Sequence, residues 1–192
     1  MRTPINSPEV EAAFEAVPPE MVAEIIDGEL YTSPRPHPRH GRSASKLGGI
    51  LDGPFDTGRD GPGGWVILDE PELHLGPRPD KLVPDLAGWR RERLPDDVFE
   101  PDAPAAIKVA PDWACEVLSA RTETVDRGKK MRVYRRERVG HVWLINPVTC
   151  TLEVYRLDDG RYILMDTHTG DTGVRAEPFD AIELPLGALW RR

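Results

Sequence analysis

The stretch that decides the fold begins at Trp113 and ends at Ile145. It opens with WACEVL (residues 113–118), which is apolar except for Glu116, and it closes with HVWLI (residues 141–145). The residues between these runs, from about 123 to 138, have the spacing of a helix. A strand, a helix and a second strand in this order predict a right-handed crossover, in which the two strands are parallel and buried in one sheet.

Two hairpin signals flank this unit. Asp27-Gly28 separates two short strand-like runs near the N-terminus, and Asp159-Gly160 separates two more after Ile145. Asp-Gly is a strong signal for a two-residue β-turn, because both positions tolerate a positive φ. The sequence therefore predicts one hairpin before the parallel unit and one hairpin after it.

The segment between the first hairpin and the parallel unit predicts mixed structure. A helix is expected from about Arg39 to Leu51, and strands are expected over 65–68 and 72–75. Residues 81–89 predict a further strand with Pro84 near its middle. Because proline donates no ladder hydrogen bond, this strand is expected to be irregular or to lie at a sheet edge.

Length and composition favour one domain of the usual size. The chain has 192 residues, with 25 Lys and Arg against 33 Asp and Glu, which gives a net charge of −8. We expect residues 1–17 to form a loose arm or a short helix, and residues 18–192 to form a single domain. No apolar run approaches the roughly 18 residues of a membrane helix, and the N-terminus lacks a signal-peptide core. These features predict a cytoplasmic protein without a membrane partner.

Glu116 is a carboxylate within an otherwise apolar strand. Burying an unpaired charge is costly, so such a residue needs a metal, a cationic partner or a proton. On the following helix, Asp126, Lys130 and Tyr134 recur at i, i+4 and i+8 and therefore share one face. This face is predicted to bring an ammonium group over Glu116. A structural ion pair of Glu116 with Lys130 or with an arginine, without a metal, is the alternative.

A second carboxylate, Asp85, follows Pro84 on another predicted strand. Two carboxylates from neighbouring strands can hold a hard divalent cation and leave positions open for water and phosphate. Such a cation polarises a phosphoryl group and lowers the pKa of bound water, while a nearby lysine orients the water or stabilises developing negative charge. The pattern indicates phosphodiester hydrolysis.

In their order along the chain, these motifs resemble the Uma family of restriction endonucleases, within the PD-(D/E)XK nuclease superfamily. The resemblance covers about residues 22–165. It is carried by the hairpin Glu24 to Glu29, His40, Pro84-Asp85, Glu116-Val117-Leu118-Ser119, Asp126-x-x-x-Lys130-x-x-x-Tyr134 and Ile145-Asn146-Pro147. It implies an α/β (α+β) fold with a restriction-endonuclease-like mixed central β-sheet, flanked by helices and preceded by an N-terminal β-hairpin.

The resemblance also implies a site and an activity. It assigns Asp85 and Glu116 as ligands of Mg²⁺ or Mn²⁺ and, with Lys130, as the catalytic residues of a DNA endonuclease. The chain departs from the superfamily pattern at Leu118, where a lysine is usual, and Lys130 is the implied substitute. Superfamily enzymes that cut both strands often pair, so the resemblance also implies a possible homodimer.

Two other functions remain open. One is a catalytically inactive module that keeps the nuclease fold and binds nucleic acid or protein. Leu118 and the negative net charge favour this alternative. The other is a metal-dependent hydrolase of a smaller phosphate ester, because no motif indicates recognition of bases. Function has to be argued from the site, since a fold alone does not define it.

Four residues are predicted to support the site, and each has an ordinary alternative. Asp126 could instead favour the helix dipole in the first turn, and Tyr134 could be a core aromatic. Glu24 could be an exposed hairpin glutamate. Ser119 could cap the helix that follows it.

The negative total does not exclude a nucleic-acid partner, because the charge is unevenly distributed. Residues 121–138 contain eight Lys and Arg against three acids, and residues 33–46 contain four against none. Phosphate contact depends on the local field. We therefore expect DNA as the partner, with contacts at Arg35, Arg39, His40, Arg42 and Lys129. For His40, capping of its own helix is the alternative.

Overall fold

A six-stranded mixed sheet forms the centre of the computed structural model, which describes residues 6–191. Its strands lie side by side in the order β10 (Arg161–Thr169), β9 (Thr151–Asp158), β8 (His141–Asn146), β7 (Trp113–Val117), β6 (Leu86–Arg90) and β3 (Trp65–Asp69). Strands β7 and β8 are parallel, and all other neighbours are antiparallel. The predicted mixed sheet and the predicted parallel pair are confirmed.

A second sheet has four antiparallel strands. They lie in the order β2 (Glu29–Pro34), β1 (Met21–Ile26), β5 (Asp80–Leu82) and β4 (Leu73–Leu75). Strands β1 and β2 form the predicted hairpin. Its turn residues Asp27 and Gly28 have φ values of 53° and 78°, which suit the twist of a two-residue hairpin. A small third sheet pairs β11 (Gly173–Val174) with β12 (Leu184–Pro185).

Helices lie beside these sheets. They are α1 (Pro8–Glu15), α2 (Pro38–Leu51), α3 (Glu123–Val125), α4 (Met131–Arg136) and α5 (Gly187–Trp190), with a short 3₁₀ helix at Asp96–Phe99. A π-helical segment, Asp126–Lys130, joins α3 to α4, so that one continuous helix, helix 123–136, connects β7 to β8. A second π-helical segment, Asp52–Asp56, extends α2 into the Gly/Pro-rich connection. Within residues 6–191, no helix is long and apolar enough to cross a membrane.

Segment 81–89 differs from the expected single strand. Strand β5 ends at Leu82, β6 begins at Leu86, and the two strands belong to different sheets. Strand β6 is also not an edge strand, since it lies between β7 and β3. Pro84 lies in the connection between the sheets, where its missing N–H costs no ladder hydrogen bond. The break leaves Asp85 immediately before β6.

Residues 8–15 of the predicted arm form α1, and residues 1–5 lie outside the described residues. Glu11 of this helix pairs with Lys81 at 2.6 Å. The Lys81 ammonium also lies 4.2 Å from the ring centroid of Phe14. These contacts attach α1 to strand β5.

Apolar clusters cover both faces of the six-stranded sheet. On one face, Phe179 packs 4.8 Å from Trp65 and 4.9 Å from Trp113, measured between ring centroids. The cluster on the other face includes Leu118 and Tyr134, and it joins the six-stranded sheet to helix 123–136 and to the four-stranded sheet. Charged residues are buried beside this second cluster, namely Glu116, Asp126 and Lys130.

Candidate active site

Asp85 and Glu116 lie side by side on one face of the six-stranded sheet. In the antiparallel pairing of β6 with β7, Leu86 is opposite Cys115, so the next pair outward is Asp85 and Glu116. The backbone N–H of Val117 donates to Asp85 Oδ2 at 2.7 Å and holds this carboxylate in place. Because side chains alternate along a strand, both carboxylates face helix 123–136.

Lys130 reaches Glu116 from this helix. Its Nζ lies 3.0 Å from Glu116 Oε2, 3.0 Å from Glu24 Oε1 and 3.5 Å from Asp126 Oδ1. It also donates to the carbonyl of Val83 at 3.3 Å. One ammonium group is therefore surrounded by three carboxylates, and the sequence-based prediction that Lys130 covers the Glu116 strand agrees with this geometry.

The π-helical segment lies at this point of the helix. The backbone N–H of Met131 donates to the carbonyl of Asp126, five residues earlier, and both Asp126 and Lys130 are buried. Single π-helical turns are rare and often occur at functional sites. The sequence predicted the shared face of Asp126 and Lys130 but not the wider turn that carries them.

Both carboxylate oxygens of Glu116 have a partner. Tyr134 donates its hydroxyl to Oε1 at 2.5 Å, and Lys130 contacts Oε2. Leu118, two residues further along, packs in the apolar cluster on the same face of the sheet. The ammonium group beside Glu116 is thus supplied by the helix rather than by the strand.

His40 brings a further group to Asp85. Its Nε2 lies 3.3 Å from Asp85 Oδ1, and its buried Nδ1 has no hydrogen-bond partner in the part of the chain that the structure describes. Burial lowers the pKa of His40, but the contact with Asp85 outweighs this effect and raises it above the usual value. The expected capping role of His40 is wrong, because His37 caps α2 by accepting the N–H of Arg39.

The buried charges shift one another's pKa values. Burial raises the pKa of Glu116 well above its usual range, and Lys130 offsets only part of this effect. Neighbouring carboxylates raise it further; they belong to Asp126, Asp85 and Glu24. Burial also raises the pKa values of Glu24 and Asp126. Burial alone would lower the pKa of Lys130, but the surrounding carboxylates raise it well above the usual value, so its ammonium group stays charged at neutral pH.

These groups line one open cleft of about 440 Å³. At the bottom of the cleft, the carboxylates outnumber the basic groups that contact them. The four carboxylates are Glu24, Asp85, Glu116 and Asp126, and the basic groups that contact them are Lys130 and His40. With every group ionised, two negative charges are left without a buried partner. Buried carboxylates in excess take up a proton or attract a cation.

Ser119 also lines the cleft. Its Oγ accepts the backbone N–H of Thr122 at 3.3 Å, and its carbonyl accepts the N–H of Glu123 at 2.9 Å. Ser119 thus stabilises the turn that leads into helix 123–136, in line with the capping alternative given for it.

The predicted phosphate contacts around α2 lie at the cleft or near it. Arg35 lines the cleft and pairs with Glu70 at 3.2 Å. Arg39 is exposed and has no ion pair within residues 6–191. Arg42 donates to the carbonyl of Arg191 at 2.8 Å. Their contact with nucleic acid stays a prediction.

Two further basic residues, Lys129 and Arg121, differ in whether their charges are paired. Lys129 pairs with Glu29 at 2.6 Å and contacts the hydroxyl of Tyr31, so its charge already has a partner. Arg121, which we did not single out, is exposed at the cleft and forms no ion pair among the described residues. Its position directly after the Glu116 strand and Ser119 is the signal that could have identified it.

A metal ion would need oxygen ligands beyond the side chains grouped here. Among residues 6–191, no three His, Cys, Asp or Glu side chains are placed so that they alone could hold a metal ion. The donors that Asp85 and Glu116 offer are carboxylate oxygens, which suit Mg²⁺ and Mn²⁺. These cations usually keep several water ligands, so two protein carboxylates fit their chemistry.

The fold defines the class of this protein as α+β, with a mixed central sheet flanked by helices. A family model described as "putative restriction endonuclease", Uma2, matches residues 11–187. The chain therefore belongs to the Uma2 family, as the resemblance of its motifs had predicted.

The fold of this chain is also similar to that of a solved structure. The chain is similar to a "putative nuclease belonging to DUF820" from Anabaena variabilis, with a TM-score of 0.74 and 21% sequence identity. The similarity covers 97% of this chain and 98% of the other. No curated protein matches the chain. At this identity the similarity shows a shared fold, and the chemistry has to be argued from the site.

Proposed function

We propose that this protein is a DNA endonuclease that depends on Mg²⁺ or Mn²⁺. The observation that carries the proposal is the meeting of Asp85, Glu116 and Lys130 at the bottom of one open cleft, where four carboxylates lie beside two basic groups. Membership of a family described as restriction endonucleases supports phosphodiester hydrolysis as the reaction and DNA as the substrate.

Asp85 and Glu116 would hold the cation, and its two positive charges would balance the excess of carboxylates. When bound, the cation would polarise the phosphoryl group and lower the pKa of a water molecule. Lys130 would stabilise negative charge that develops on the phosphoryl oxygens, because its ammonium group remains protonated at neutral pH.

The remaining polar residues of the cleft would keep these three groups in position. Tyr134 fixes one oxygen of Glu116, and His40 contacts Asp85. Glu24 holds Lys130 from the side of the hairpin and accepts the N–H of Val83 at 2.9 Å. Groups that are held in this way need little rearrangement during the reaction.

Cleavage of a supercoiled plasmid tests the proposal. We expect purified protein to nick or cut the plasmid with Mg²⁺ or Mn²⁺, and a chelator to stop the reaction. Glu116→Gln should abolish cleavage. Glu153→Gln is the matched control, since Glu153 also accepts hydrogen bonds from a tyrosine and a basic residue but lies outside the cleft. Equal cleavage by wild type and Glu116→Gln would assign the activity to a contaminant and reject the proposal.

A non-enzymatic module that binds nucleic acid or protein is the second candidate. Leu118, buried where the superfamily has its lysine, favours it. This function predicts no binding of Mn²⁺ by titration calorimetry. It also predicts that the affinity for DNA is the same in wild type and Glu116→Gln.

A further inference from the structure

The reactive groups lie deep in the cleft. The side chain of Lys130 is 5% exposed, and that of Asp85 is 13% exposed. A phosphate reaches them only if its strand enters the cleft together with the neighbouring sugars. A stacked duplex is stiff and resists the local bending that this requires, whereas an unpaired strand does not.

A side pocket of about 170 Å³ adjoins the cleft, and six residues line both cavities. This volume is well below the roughly 300–1,000 Å³ of sites that enclose a whole small ligand, so it suits one ring. Its own walls include Tyr31, Thr32 and Val125. The ring of Tyr31 lies 4.7 Å from the Lys129 ammonium, measured to the centroid, and this contact holds the ring in place.

Arg121 lies where the two cavities meet. It lines both of them and has no ion pair within the described part of the chain. A guanidinium group at this junction can hold a phosphate by two hydrogen bonds. A phosphate held by Arg121 would lie between a second phosphate in the cleft and a base in the side pocket.

We propose that the site takes single-stranded DNA, with the scissile phosphate in the cleft and an adjacent unstacked base in the side pocket. This inference rests on the proposed function. Removing a base from a paired stack is costly, whereas an unpaired strand presents its bases at little cost. An aromatic wall such as Tyr31 accepts any base by stacking, so this binding does not require a particular sequence.

Matched oligonucleotides test the inference. With Mn²⁺, a single strand should be cleaved at least about tenfold faster than the duplex of the same sequence. Thr32→Trp, which fills the side pocket from an exposed position, should remove most of this preference. Thr167→Trp is the control, because Thr167 is exposed on β10 and lines neither cavity. Equal or faster cleavage of the duplex would overturn this inference, but it would still support the proposed endonuclease activity. Faster cleavage of the corresponding RNA would overturn the choice of DNA as the substrate.

Binding separates the two proposals if nothing is cleaved. If none of the oligonucleotides is cleaved, the proposed endonuclease activity is rejected. Fluorescence anisotropy with labelled oligonucleotides then decides the inference alone. Tighter binding of the single strand than of the duplex, weakened by Thr32→Trp and unchanged by Thr167→Trp, supports the two-cavity site. Equal affinity for both forms, or no effect of Thr32→Trp, rejects it.

Discussion

Two glutamates on one face of the six-stranded sheet have similar partners but different surroundings. Each accepts hydrogen bonds from a tyrosine and from a basic residue of helix 123–136, and Leu144 of β8 lies opposite both in the strand register. We refer to them as the Glu116 group and the Glu153 group. The Glu116 group consists of Glu116, Lys130 and Tyr134, and the Glu153 group consists of Glu153, Arg127 and Tyr155.

The pKa values of the two glutamates shift in opposite directions. The Glu116 side chain is 2% exposed, and burial together with three nearby carboxylates raises its pKa well above the usual value. The Glu153 side chain is 16% exposed, and hydrogen bonds from Arg127 lower its pKa. Burial and surplus negative charge, rather than the kind of hydrogen-bond partner, therefore decide which group can attract a further cation.

Removing the basic residue should give the largest difference between the groups. Lys130→Met leaves buried carboxylates without their ammonium partner and should lower the free energy of unfolding by about 3–5 kcal/mol, with loss of cleavage. Arg127→Met should cost less than about 1 kcal/mol, because water screens the partly exposed pair. Urea unfolding measures both. Equal costs would show that burial does not separate the groups.

Divalent cations should stabilise the protein through the Glu116 group. At a free Mn²⁺ concentration of about 100 times Kd, binding adds about 2.7 kcal/mol to the stability of the folded state. Thermal unfolding with and without Mn²⁺ should show this gain in wild type and in Glu153→Gln, and should show little of it in Glu116→Gln. A gain in Glu116→Gln equal to that of wild type would place the cation elsewhere.

Removing the tyrosine hydroxyl should have a smaller effect. Tyr134→Phe deletes the donor to a buried carboxylate and should cost about 1.5–3 kcal/mol. Tyr155→Phe should cost about 0.5–1 kcal/mol, because Glu153 keeps both bonds from Arg127 and has access to water. Chemical denaturation of the two variants provides the measurement. The comparison fails if Tyr155→Phe is the more damaging change.

The smallest expected difference concerns pH: Glu116 and Glu153 should change the stability of the folded state in opposite directions as pH changes. The raised pKa of Glu116 gives a contribution that is fully present below the ordinary value of 4.5 and is lost as pH rises through the folded-state value. Without added metal, wild type should therefore lose stability relative to Glu116→Gln as pH rises, by up to about 1.4 kcal/mol per pH unit.

The lowered pKa of Glu153 has the opposite consequence. Its contribution is present above the ordinary value of 4.5 and is lost only as pH falls through the folded-state value. Between pH 6 and pH 8, the urea-unfolding free energies of wild type and Glu153→Gln should therefore run parallel. A pH slope in this range that disappears in Glu153→Gln would contradict the assignment.

Local signals predicted much of the fold. The apolar runs beginning at Trp113 and His141 are parallel strands, and both Asp-Gly turns join hairpins. The shared face of Lys130 and Tyr134 was also predicted, because helical spacing fixes it within a few residues. The prediction of a single strand over residues 81–89 was wrong, because the pattern of apolar residues does not show that the chain leaves one sheet and enters another.

The long-range contacts of the site were harder to predict. Glu24 is predicted to support the site, with an exposed hairpin role as the alternative, but its partner Lys130, 3.0 Å away, could not be identified from the sequence. His40 was expected to cap its helix or contact phosphate, yet it contacts Asp85. Each of these contacts joins segments that are far apart in the chain, and no local spacing records their distance.

The sequence by itself determined the order of the motifs, the parallel unit around Glu116 and the helix face that carries Lys130. These features depend on short-range periodicity and on the polarity of individual residues. Only the tertiary structure decided that Glu116 is buried with a surplus of carboxylates, while Glu153 is partly exposed and paired with Arg127. The energy of a charge depends on its distance from other charges and from water, and folding sets both.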